Sequence, residues 1–335
     1  MILTKKNAFY AAIVVQALIL LYLIIPSDKN HPILDFTRSS LAWFLNNNED
    51  TSIVLNTTHA CISLKPTIKH KPGEIFLVVL VISKALNEDA REAIRNTWGS
   101  KKETANDLVS YVIFVTGCTP SIHLDHEVDR EASKYNDILR LGSQEDKDPH
   151  DIKRIWHGYR WAIKYQPKFI IKTHYHLYVH LPRIVQWLKD AEKPDKLYAG
   201  KVHNHVAVNR NPKKPFVVSE KEFSPANFPD YCAGPFYAFS GKLLKDLLDL
   251  ERKIPKFNVE DAYLGVLMKK LEIEPTDIDS KLHIEGQLGN DVQSWTNQMY
   301  INANVIGMDL QPSSIQYIHD RYKGIERAAL KREGA

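Results

Sequence analysis

Glu74-Ile75-Phe76-Leu77-Val78-Val79-Leu80-Val81-Ile82-Ser83 is an unbroken apolar run rich in Val and Ile. That is the pattern of a strand covered on both faces in a parallel sheet. Asn87-Glu88-Asp89 follows and leads into AREAIRNTWG at positions 90–99, with a cap-like start, good helix formers and Gly99 as a stop. A second strand is expected over Leu108–Thr116, ending at Gly117, and helix patterns span Asp125–Lys134 and Ile152–Lys164. A third apolar strand runs over Phe169–Lys172, with an extension toward Val179. Strand and helix alternating in this way predict an open α/β sheet, which binds ligands at the carboxyl ends of its strands. There is neither a GxGxxG after the first strand nor a GxxxxGK[ST] anywhere, which argues against a dinucleotide cofactor and a P-loop nucleotide.

Upstream, Ala8–Ile25 is an 18-residue apolar run interrupted only by Gln16, and Lys5 and Lys6 precede it. Its length is about that of a membrane-spanning helix, and the lysines would hold the N-terminus in the cytoplasm. A cleaved signal peptide is the competing reading; the length of the run and its end at Pro26, without a small-residue cleavage site, favour the anchor. The expected organisation is a cytoplasmic tail at 1–7, a signal anchor at 8–25 and a stalk at 26–72. A globular domain at 73–318 and a charged, exposed tail at 319–335 complete it. The stalk carries one glycosylation sequon, Asn56-Thr57-Thr58.

With 44% hydrophobic and 25% charged residues among 335, the chain is ordinary globular material, and a formal charge of +4 without a long Lys/Arg block gives no reason to expect nucleic acid. Cys61, Cys118 and Cys232 allow at most one bridge within the chain, leaving the third thiol free or paired between chains in an oxidising compartment.

Four segments in fixed order resemble the family 31 glycosyltransferases, the β-1,3-galactosyltransferase and N-acetylglucosaminyltransferase-like group. Arg91-Glu92-Ala93-Ile94-Arg95-Asn96-Thr97-Trp98-Gly99 is similar to R-x-x-I-R-x-T-W-G. Glu131 with Tyr135-Asn136-Asp137-Ile138-Leu139 is similar to E-x-x-x-Y-x-D-I-L. Tyr231-Cys232-Ala233-Gly234-Pro235-Phe236-Tyr237-Ala238-Phe239-Ser240 resembles Y-C-x-G-x-x-Y-x-x-S, and Glu260-Asp261-Ala262-Tyr263-Leu264-Gly265 resembles E-D-V-Y-x-G. The resemblance implies a GT-A-like open mixed sheet flanked by helices, here preceded by the transmembrane helix and stalk. It also implies inverting transfer of galactose or N-acetylglucosamine from a UDP-sugar to a glycan or glycoprotein acceptor, usually with Mn²⁺. The setting it implies is a single-pass type II Golgi membrane protein with a lumenal domain, alone or in homo- or hetero-oligomers with other glycosyltransferases.

Within that resemblance Asp261 is the expected base and Glu260 an acceptor anchor or structural partner, because inversion needs a carboxylate to take the acceptor's proton. Asn258 with Asp261 three residues on also reads as a helix cap with an acidic third position. Arg91 and Arg95, four apart on one helix face, with Lys172, are expected near the nucleotide. Trp98 reads as core. Tyr231, Gly234 and Tyr237 are expected on the acceptor side, with Pro212–Phe228 an exposed loop facing it.

One segment departs from the pattern. Where the family has K-T-D-D-D-V-F-V, whose carboxylates hold the cation, this chain has Lys172-Thr173-His174-Tyr175-His176-Leu177-Tyr178-Val179-His180. Mn²⁺ and Mg²⁺ prefer oxygen ligands, so their affinity should fall. His174, His176 and His180 on one face of an extended strand would suit a softer ion such as Zn²⁺, held through His176 with His283 as the distal ligand. Alternatively His174 and His176, partly protonated in a mildly acidic lumen, would pair directly with diphosphate and make the site metal-independent. The upstream stretch with Asp146, Asp148, His150 and Arg154 also lacks the family's match. These departures leave two rivals to an enzyme: a degenerate member serving as chaperone or partner of an active transferase, and a glycan-binding module.

Overall fold

A computed structural model describes residues 61–100, 108–145, 152–283, 292–307 and 309–333. The chain divides into two units, Met1–Thr58 and His59–Ala335, and every described residue belongs to the second. The expected tail, the apolar run 8–25, most of the stalk, Asn56, Asp146, Asp148 and His150 lie outside the described residues. Among the described residues no helix is long and apolar enough to cross a membrane.

The opening run becomes β1 (Leu77–Ile82), buried at every position. Helix α1 (Glu88–Asn96) follows, then β2 (Ser110–Cys118), α2 (Ile122–Tyr135), β3 (Ile138–Glu145), α3 (Ile152–Ala162) and β4 (Phe169–His174). Next come β5 (Tyr178–Val179), α4 (Leu181–Lys189), β6 (Tyr198–His203), β7 (Tyr231–Ser240), α5 (Leu244–Glu251) and α6 (Glu260–Lys270). The series ends with β8 (Thr276–Asp277), β9 (Leu282–His283), α7 (Asn297–Asn302), β10 (Val305–Ile306) and α8 (Pro312–Glu333).

The larger sheet has the order β3-β2-β1-β4-β7-β6-β8. Strands β3, β2, β1 and β4 are parallel, and β7 enters antiparallel to both β4 and β6. Alternation along β1 sends Val78, Leu80 and Ile82 to one face and Leu77, Val79 and Val81 to the other. Trp156 and Tyr159 of α3, with Leu264 and Leu267 of α6, cover the first face. The second is covered by Ile94 of α1, Ile184 and Leu188 of α4, and Ile318 and Tyr322 of α8. The result is the open mixed sheet flanked by helices expected from the sequence, with Trp98 in its core.

Several boundaries differ from expectation. The third strand stops at His174 instead of running to Val179; the chain turns, and Tyr178–Val179 joins a separate sheet of order β5-β10-β9. Strand β3 carries little sequence signal: Tyr135 ends α2, Asn136 turns in the left-handed conformation at φ 54°, and only Ile138 and Leu139 give β3 an apolar start. The stalk does not reach residue 72, because Cys61 is bridged to Cys118 and Leu64 pairs with Arg140. Nor does a tail begin at 319: α8 runs through that position and buries Tyr322. The third thiol, Cys232, is free and fully buried, which removes it from pairing between chains.

Candidate active site

The site lies where the carboxyl end of β4 meets the start of β7 and the N-terminus of α6. Lys172 sits opposite Tyr237 in the β4–β7 register, and its side chain is buried with the ammonium 5.5 Å from the Tyr237 ring centroid. Its ammonium donates to the Gly234 carbonyl at 2.5 Å and to His174 Nε2 at 2.9 Å, and lies 3.0 Å from Glu260 Oε2. The other carboxylate oxygen of Glu260 accepts the Tyr237 hydroxyl, which in turn lies 2.6 Å from the hydroxyl of Tyr159. Burial, with the negative charge of Glu260 adding to it, pushes both phenols far above their ordinary range, so they remain hydroxyl donors.

Asp261 follows Glu260 in the first turn of α6, where the helix dipole favours negative charge. Its Oδ2 accepts the Gly234 amide at 2.8 Å and its Oδ1 the Ala262 amide at 2.9 Å. The helix begins at Glu260 with Val259 as the flanking residue and no side-chain cap, so Asn258 does not cap it. The two carboxylates therefore differ: Glu260 is tied into a buried ion pair, whereas Asp261 is oriented by backbone amides and half-exposed.

The structure moves other expected residues away from ligand. Arg91 is fully buried, and its five N–H donors are taken by Glu131, Ser83 Oγ and the carbonyls of Lys84 and Ala85. Arg95 forks onto Asp137 and also pairs with Glu131 at 2.7 Å. Burial alone would raise the Glu131 carboxyl, but the two guanidinium groups hold it below its ordinary range. The two arginines do share one helix face, but that face packs inward onto α2, so the pair clamps helices together instead of reaching a nucleotide. Tyr237 has no exposed surface and Tyr231 is 5% exposed, so neither offers an acceptor-facing ring. Of the three expected acceptor-side residues, Gly234 stays beside Asp261. Tyr159, which sequence reasoning missed, has no signal beyond an aromatic position in a helix.

The histidines do not form the expected row. His180 is buried beside α8, with its Nε2 3.2 Å from Glu326. His174 Nε2 accepts from Lys172, and His176 Nδ1 accepts the Asp309 amide at 3.1 Å. His283 packs against Trp295 with a buried Nε2 that has no hydrogen-bond partner. A metal ligand must offer a lone pair. An ammonium only donates, so the neutral His174 ring carries its proton on Nδ1; an acceptor Nδ1 leaves the proton of His176 on Nε2. One orphaned nitrogen on His283 does not make a site, and among the described residues no group of three or more His, Cys, Asp or Glu is placed to hold an ion. Among the described residues, neither a carboxylate set for Mn²⁺ nor the Zn²⁺ chelate through His176 and His283 is assembled. Beside His176 a cleft of about 460 Å³ opens between the β1–α1 loop and the turn before α8.

Residues 89–279, more than half of the chain, match the galactosyltransferase family. Human beta-1,3-galactosyltransferase 9 is 27% identical over 208 residues, covering 61% of this chain and 56% of that protein. Beta-1,3-galactosyltransferase 5 of Pan paniscus is 26% identical over 208 residues, covering 62% and 68%. Its namesake in Mus musculus is 23% identical over 279 residues, covering 83% of each chain. The chain thus spans little more than half the length of the first of these relatives. The matched region contains Lys172, Gly234, Glu260 and Asp261, and the chain belongs to the galactosyltransferase family.

Proposed function

We propose that the protein is an inverting hexosyltransferase that moves galactose or N-acetylglucosamine from a UDP-sugar to a hydroxyl of a glycan or glycoprotein acceptor, with β-1,3 linkage. Family membership and the activities for which the relatives are named support the reaction class. The observation that carries it at the site is the pair Glu260–Asp261, in which Asp261 is held by the amides of Gly234 and Ala262 near the start of β7. In the proposed step Asp261 takes the proton of the acceptor hydroxyl as that oxygen attacks the anomeric carbon. The bond from that carbon to the diphosphate breaks on the opposite side, and its electron pair leaves with UDP. Glu260, locked by Lys172 and Tyr237, keeps the first turn of α6 in place.

The fold we assign to the GT-A type, from the parallel half-sheet joined to antiparallel β7. A lumenal Golgi setting with a type II anchor at 8–25 is likewise part of the proposal. The Cys61–Cys118 bridge supports an oxidising compartment.

The test is transfer and donor hydrolysis by the full-length protein in detergent, with UDP-galactose and UDP-N-acetylglucosamine. Asp261→Asn keeps an acceptor oxygen for the Gly234 amide but removes the base, and turnover should fall by about 10²–10⁴. Equal rates for wild type and Asp261→Asn would remove Asp261 from the chemistry. A wild type without turnover on either donor would leave the partner role.

A further inference from the structure

The cleft beside His176 is lined by Lys84, Asn87, Asp89, Tyr175 and Asp309 among others. It lies at the carboxyl ends of β1 and β4, the edge where an open α/β sheet receives ligands. The turn before α8 closes over His176 twice: the Asp309 amide donates to Nδ1 at 3.1 Å, and the Leu310 amide donates to the His176 carbonyl at 3.1 Å. Asp309 holds this turn in the left-handed conformation at φ 61°, just after Gly307 at φ 84°. Because Nδ1 accepts from a backbone amide, it cannot carry a proton, and Nε2 must. The Asp309 carboxylate is 88% exposed and 4.0 Å from Nδ1, beyond hydrogen-bond reach, so it does not compete for that nitrogen. The ring therefore presents Nε2–H as a donor.

We infer that this cleft receives the diphosphate of a nucleoside diphosphate donor without a divalent cation, through the Nε2–H of His176 and the ammonium of Lys84. The inference rests on the donor class proposed above and names how that donor is held. An imidazole N–H and an ammonium complement phosphate oxygens, whereas the nitrogens of His174 and His176 accept from Lys172 and the Asp309 amide, and among the described residues the carboxylates lining the cleft complete no group of three metal ligands. Asp89 and Asp309 are the acidic groups lining the cleft, and their charge limits the affinity without supplying a third ligand.

The experiment is calorimetric titration of UDP into the full-length protein in detergent, with EDTA and then with Mn²⁺ or Zn²⁺. The expected dissociation constants agree within about twofold across the three conditions, too small a difference to represent a lost ligand contact. H176D should weaken UDP binding in EDTA by about tenfold or more, and H176Q, which restores an N–H donor, should recover part of that loss. Long-range proton–nitrogen spectra of ¹⁵N-histidine-labelled protein should place the His176 proton on Nε2 and the His174 proton on Nδ1. Binding that vanishes in EDTA and returns with Mn²⁺ or Zn²⁺ would overturn the inference while leaving the transferase reading intact, as would the opposite tautomers. No UDP binding in any condition would remove the proposed donor, and this inference with it.

Discussion

The Gly234 amide donates to Asp261 Oδ2 at 2.8 Å, and a Cβ added at Gly234 would lie 3.1 Å from that same oxygen. One backbone position thus both holds the carboxylate and leaves room for it. Gly234→Ala should push Asp261 out of line without disturbing the core, because the residue is only half-buried. Since a displacement of about 1 Å can cost on the order of 10²-fold in rate, turnover should drop by about 10-fold to about 10²-fold while the melting temperature changes little. Parallel rate and melting measurements decide this; a large melting shift with an unchanged rate would place the glycine's role in folding alone.

Tyr237 offers a separate handle on Glu260. Tyr237→Phe removes the donor to Glu260 and leaves the Tyr159 hydroxyl buried without its partner. The expected loss is about 1–3 kcal/mol in chemical unfolding. Turnover should fall with it, because Lys172 alone then orients Glu260. Stability lost without any change in turnover would confine the tyrosine pair to packing.

Much of this is legible in the sequence because it depends on pattern. The apolar run at 74–83 announces a doubly covered strand, and Asn258 with Asp261 announces an acidic helix start, although the helix begins at Glu260 and Asn258 does not cap it. What is not legible depends on which way a face turns. Arg91 and Arg95 have the spacing of a ligand-binding pair, yet Glu131 and Asp137, some 40 residues later, decide that they face inward. The histidines depart from expectation for a similar reason. Alternation in an extended strand would align His174, His176 and His180, but the turn after His174 breaks that period, and Lys172 and Asp309 then fix which nitrogen remains on His174 and His176.

Arg91 gives a third prediction. Lysine has three donors on a flexible stem and cannot replace a guanidinium that makes five hydrogen bonds in a closed pocket. Arg91→Lys should destabilise the fold by about 3–5 kcal/mol, the scale for breaking a buried ion pair. UDP affinity of the folded fraction should stay within error. A selective loss of UDP binding at unchanged stability would restore Arg91 to the nucleotide site.

The last prediction concerns the C-terminal helix, which stands where the sequence suggests an exposed tail. Glu326 on α8 accepts from His180 Nε2 at 3.2 Å, and the His180 ring packs edge-on against Tyr322 at 4.4 Å. The hydrogen bond from His180 lowers the Glu326 carboxyl to about 2; burial opposes the shift and Lys323 assists it. The folded value lies below the unfolded one of about 4.3, so the unfolded chain binds more protons between them and stability rises with pH. The contribution of Glu326 is therefore complete above about pH 5 and is lost as the pH falls toward about 2. Glu326→Gln should lower the melting temperature most above about pH 5, and its curve should converge on that of the wild type near about pH 2. Melting temperature measured against pH for both proteins tests this. A difference that stays constant across that whole range would mean that Glu326 holds α8 by shape and not by charge.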